Sequence, residues 1–183
     1  MDQSRHWPLS AWSDAGLLAA LIDPDTVPEA AHGVAPAQWF AMLREQGRVF
    51  EATTFLAHAL PRYECVVWAA RTLIESGALV RSDPLVGATL RWIDDPSDHL
   101  RRAAGEAADR SGRARAGELL CQAVFYSGGS IAPEDLAAVN APPQTCARMA
   151  AGAVLTGAYD HATPAAVLER GFEIGDTLAR QQR

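Results

Sequence analysis

Three features of this chain predict an all-α fold: a single compact domain of seven or eight helices stacked as antiparallel helical hairpins. The sequence is 49% hydrophobic but only 7% aromatic, so alanine supplies much of its apolar content, and alanine is the strongest helix former. From residue 36 onward apolar residues recur at helical spacing, and no stretch alternates as a half-buried strand would. Prolines, several preceded by aspartate or threonine, cut that pattern into lengths typical of helices.

Taken in order, residues 1–35 form an irregular N-terminal segment. Trp7, Trp12, Leu17, Leu18 and Leu21 suggest one short helix there, followed by a proline-punctuated connection. Residues 36–183 read as the helical domain. Pro36 opens a helix carrying Trp39, Phe40 and Leu43, which Gly47 stops. The next carries Phe50, Phe55, Leu56 and Leu60 and ends at Pro61. Helix 61–76 is apolar on almost every side (Val66, Val67, Trp68, Leu73, Ile74) and belongs in the middle of the bundle.

Asp83-Pro84 and Asp95-Pro96 read as one device used twice: aspartate caps exposed amides, and proline takes the first helical position, where an N–H has no partner. They open a helix with Leu85, Thr89 and Trp92, and another, 97–109, with Leu100, Ala103, Ala104 and Ala107. Leu119, Leu120, Ala123 and Val124 mark helix 114–126. Pro142-Pro143 precedes a helix of small residues, and Thr163-Pro164 opens the last, with Val167, Gly171, Ile174 and Leu178 on its face.

Composition narrows function. A net charge of −6 counts against a nucleic-acid partner, and with it against an arginine-based nucleic-acid scaffold. All 16 basic residues are arginine, which rules out a Schiff-base lysine and a P-loop lysine. Cys65, Cys121 and Cys146 are far apart in sequence, and each lies in an apolar helical pattern, as buried reduced thiols do. The first residues lack a basic segment followed by an apolar run, and the longest apolar stretch, near 149–159, is too short for a bilayer span. A cytoplasmic protein without membrane insertion is expected.

The segment Ser127-Gly128-Gly129-Ser130 raises the main chemical question. A phosphate cradle needs glycines ahead of a helix N-terminus, and a nucleophile elbow needs a strand and G-x-S-x-G spacing. Here the glycines follow a helix. The reading favoured is a helix stop, with Gly128 or Gly129 left-handed and Ile131 folding back on the last turn. The histidines form no H-x-x-x-H or H-E-x-x-H pattern, so no metal site and no cofactor are expected. Asp94-Asp95, Asp98 and Glu134-Asp135 fall at helix starts or turns, where capping accounts for them. Arg101-Arg102 and Arg110, Arg113 and Arg115 read as a solvated face.

Residues 47–60 place Gly47, Glu51, Ala52, Ala59 and Leu60 where a tetratricopeptide hairpin usually has glycine, glutamate, alanine and alanine-leucine. The likeness covers one hairpin, with no second copy about 34 residues on. A larger resemblance begins at LPRYECVVWAA (60–70). It is similar to an uncharacterised bacterial family with a leucine-proline-x-arginine-glutamate motif and a tryptophan pair, encoded beside type VI secretion genes. Leu60, Pro61, Glu64, Trp68 and Ala69 match, and Arg62 fits one of two basic positions; Tyr63 replaces the other basic residue and Val67 the first tryptophan. Trp92 with Asp95-Pro96-Ser97, Arg102-Ala103-Ala104, Phe125 with the SGGS run, Pro142-Pro143 and Ala151–Val154 continue the likeness across roughly 40–180.

The resemblance implies a cytoplasmic accessory role near a secretion machine and no enzyme activity. The expectation is a non-enzymatic adaptor that binds another protein, a secretion component or effector, with the oligomeric state open. Its contact residues are Arg62 and Glu64, at the exposed start of a buried helix, and Ser127, Gly128, Gly129 and Ser130. Trp68 is assigned to the core. The alternative is a serine hydrolase-like enzyme in which Ser127 or Ser130 meets the distant His58 or His99.

Overall fold

Asp14, Asp83 and Ser97 cap the first turns of three helices, and proline opens three, one of them also capped by Asp83. The computed structural model describes residues 6–112, 115–133 and 135–182, so Arg113 and Glu134 lie outside the described residues. The described chain forms nine α-helices, close to the number expected. They are α1 (Ala15–Ile22), α2 (Pro36–Glu45), α3 (Val49–Ala59), α4 (Arg62–Glu75), α5 (Pro84–Asp94), α6 (Asp98–Ser111), α7 (Ala116–Phe125), α8 (Thr145–Asp160) and α9 (Pro164–Ala179). A 3-10 turn spans Glu29–Ala31. No strand occurs among the described residues; one isolated antiparallel bridge joins Ser130 to Asn140.

Asp83 caps α5 as expected, its carboxylate accepting from the Leu85 N–H at 2.8 Å with Pro84 in the first turn. The second Asp-Pro step behaves differently. Asp95 closes α5, donating its N–H to the Arg91 carbonyl, and Ser97 is the residue that caps α6, accepting from the Leu100 N–H. A three-residue link between the helices, 95–97, leaves Asp95 on the wrong side of the turn to reach the next set of free amides.

From α4 onward each helix packs on the next, α3 packs on α2, α8 and α9, and α4 lies among α5, α7, α8 and α9. Trp68, on α4, is fully buried, and its indole N–H donates to the Gly171 carbonyl at 2.8 Å. That contact requires α9 to come close. A Cβ at Gly171 would meet Thr72 at 2.9 Å, and one at Gly175 would meet the Trp68 indole nitrogen at 3.0 Å, so glycine at both positions lets the two helices touch. The N-terminal segment joins the same core: Trp7 is buried, donates its indole N–H to Asp176 at 2.8 Å, and packs on Phe40.

Candidate functional site

Helix α7 ends at Tyr126, and the segment 127–144 then leaves the bundle and returns at α8. The left-handed residue is Gly129 (φ 62°); Gly128 has no positive φ. It does not cap the helix. Tyr126 does that with an N–H to the Gln122 carbonyl, and the Ser127 N–H follows to Val124. Gly129 instead turns the chain against α6, where an added Cβ would meet Asp98 at 2.9 Å and Arg101 at 3.1 Å. The Ile131 N–H donates to the Val139 carbonyl at 2.8 Å across the bridge, and Ile131 lines one hollow with Gln122, Phe125 and Tyr126 at the end of α7.

The element that organises this loop is the arginine pair read from sequence as solvated, and that reading is overturned. Arg101 is only 3% exposed. Its guanidinium donates to the carbonyls of Phe125 (2.5 Å) and Ser130 (2.8 Å), is held by Asp98 at 2.8 Å, and lies over the Phe125 ring. Arg102 donates to Ala132 at 2.9 Å and to Ser130 at 3.3 Å, and also pairs with Asp98. One planar fork thus spans the end of α7 and the turn of the loop, a geometry that arginine supplies and a point charge does not. Hydrogen bonds from Arg102 and Arg101 hold the Asp98 carboxyl below the usual aspartate range.

Of the residues singled out in the sequence, Arg62 and the SGGS turn come together: the exposed Arg62 guanidinium donates to the Ser127 carbonyl at 3.4 Å. Glu64 is half-buried on the same turn of α4 and makes no ion pair within the described residues. The Ser130 hydroxyl accepts from the N–H groups of Ala132 and Val139, both at 3.1 Å, which braces the loop. His58 is buried on α3 with Nδ1 hydrogen-bonded to the Thr54 carbonyl at 2.8 Å, while His99 is exposed on α6. Burial, the larger effect, pulls the His58 pKa down. Among the described residues no three His, Cys, Asp or Glu side chains gather as a metal set.

A family model, described as a family of unknown function, matches residues 39–179, most of the chain. This protein belongs to DUF6931. The DUF6931 region runs from α2 to the end of α9 and contains Arg62, Glu64, Arg101, Arg102 and the whole 127–144 loop, whereas α1 precedes it. Membership agrees with the uncharacterised family that the motifs around LPRYECVVWAA resemble, and it carries no link to type VI secretion or to tetratricopeptide repeats. No curated protein and no solved structure matches the chain. No helix of the described DUF6931 chain is long and apolar enough to cross a membrane.

Proposed function

We propose that this protein is a non-enzymatic, helical protein-binding module, an accessory or adaptor acting in the cytoplasm beside a type VI secretion machine. One observation carries the binding reading. Leu136 and Val139 stand 62% and 52% exposed on a loop whose first residues are bound to α6 by Arg101 and Arg102 and whose return is bridged to Ser130 at Asn140. An exposed apolar pair on a mobile loop would be unremarkable, but a loop braced by a buried guanidinium holds its side chains in one arrangement before a partner arrives. Such preorganisation lowers the ordering cost of association, and binding residues concentrate on loops held by a rigid scaffold. Arg62 borders the same loop through Ser127 and adds a positive charge. The secretion context rests on the sequence motifs of residues 60–154 and on nothing in the geometry.

Affinity capture from the native bacterium, comparing the unaltered protein with a Leu136→Asp/Val139→Asp variant, tests this. The expected result is a partner retained by the former and lost at least ~10-fold by the latter, with both proteins melting alike. Equal capture by both would place the contact elsewhere. A fluorophosphonate probe that labelled the protein at Ser127 or Ser130 would overturn the non-enzymatic reading in favour of the serine hydrolase.

A further inference from the structure

Two of the three cysteines meet in the core. Cys65 lies in the first turn of α4 and Cys146 in the first turn of α8, helices that pack side by side. Each is 1% exposed. The Cys146 thiol donates to the Arg62 carbonyl at 3.8 Å, one turn before Cys65, which makes the two thiols neighbours. Both sulfurs therefore lie beneath the start of α4. The third cysteine is engaged elsewhere: the Cys121 thiol donates to the Leu85 carbonyl at 3.2 Å and lies 3.7 Å from the Thr89 hydroxyl.

We propose that Cys65 and Cys146 are an oxidisable dithiol, a modification site at which a low-molecular-weight disulfide converts the pair into a disulfide joining the first turns of α4 and α8. One thiol, as its thiolate, attacks the oxidant, forming a mixed disulfide and releasing one small thiol. The other thiolate attacks the protein-side sulfur of that mixed disulfide, forming the Cys65–Cys146 bond and releasing the second small thiol. Two electrons and two protons pass from the protein to the oxidant, which leaves as two thiols. The neighbouring Cys146 thiol and burial both push the Cys65 pKa up, so the reaction is slow near neutrality and speeds up as pH rises. The bond would secure the point where the 127–144 loop re-enters the bundle to the helix that carries Arg62.

The test uses the whole protein incubated with glutathione disulfide at about pH 8.5, then alkylated in denaturant, digested and mapped by mass spectrometry. The expected product has lost about 2 Da, yields one cross-linked peptide pair containing Cys65 and Cys146, and keeps Cys121 free to alkylate. Its thermal midpoint should rise by roughly 5–10 °C, because the bond closes a long loop. Cys121→Ala should form the bond undiminished, and Cys146→Ser should leave Cys65 as a glutathione mixed disulfide. Mixed disulfides on both residues of the unaltered protein, a bridge that includes Cys121, or three thiols still alkylatable after prolonged incubation would each overturn the proposal. If Cys146→Ser does not fold, the maps of the unaltered protein and Cys121→Ala decide alone.

Discussion

Gly129 shows how one residue can have two reasons to be what it is. Its φ of 62° strains any side chain, and the space its Cβ would fill already holds Asp98 and Arg101. Gly128 has neither constraint, with nothing within 4 Å of an added Cβ. Gly129→Ala should therefore lower stability by roughly 1–2 kcal/mol and Gly128→Ala by less than about half a kcal/mol, as read from paired urea titrations. Equal losses would contradict the assignment of the left-handed turn. His58 makes a second prediction at this scale. Its ring is buried, Nε2 has no partner, and its pKa lies below the 6.5 of an exposed histidine. The unfolded chain therefore takes up the proton first as pH falls. The stability that neutral His58 contributes is complete above about pH 6.5 and declines as pH drops from there toward the folded value. Asp14, Asp23, Glu75 and Asp98, all depressed, add their own losses only at lower pH, as it falls below their unfolded values. Urea midpoints at about pH 7.5 and pH 5.5 should thus diverge in the unaltered protein and converge in His58→Gln; an identical slope in the two proteins would place the titrating group elsewhere.

Helices follow local rules, and at that scale most of the chain was legible. The apolar circumference of α4 predicted its central place, and Trp68 is fully buried with its N–H on Gly171. Trp68→Ala should cost roughly 3–5 kcal/mol, through lost contacts and an orphaned carbonyl on α9. An unchanged melting midpoint would mean that α4 is not the centre of the bundle. The start of α6 was less legible. Two acidic-proline steps look alike in sequence, but only the chain geometry decides whether the aspartate finishes one helix or opens the next, and Ser97 holds the capping position here. Arg101 and Arg102 were misread for a related reason. A guanidinium in an alanine-rich helix looks solvated until its acceptors are known, and those acceptors lie 24 to 30 residues further on. The local signal available was Asp98, three and four residues before the two arginines, which orients both.

Across the whole molecule, α4, α6 and α7 converge on one loop: Arg62 reaches it from α4, Arg101 and Arg102 from α6, and α7 leads into it. The SGGS turn reads from the sequence as a helix stop, but Tyr126 caps α7 and the turn shapes the loop that follows. Ser130 braces the loop through two backbone amides, and Gly129 lets the chain lie against the arginine fork. The proposed binding role depends on this loop keeping one shape in the absence of a partner. Hydrogen exchange of the isolated protein measures that directly, at the amides of Ile131, Ala132 and Val139, whose acceptors lie within the loop. These amides should exchange at least ~10-fold more slowly than an unstructured peptide. Arg101→Ala should remove that protection while leaving the α4 amides slow. Exchange of the three amides at the unstructured rate in the unaltered protein would contradict a preformed loop.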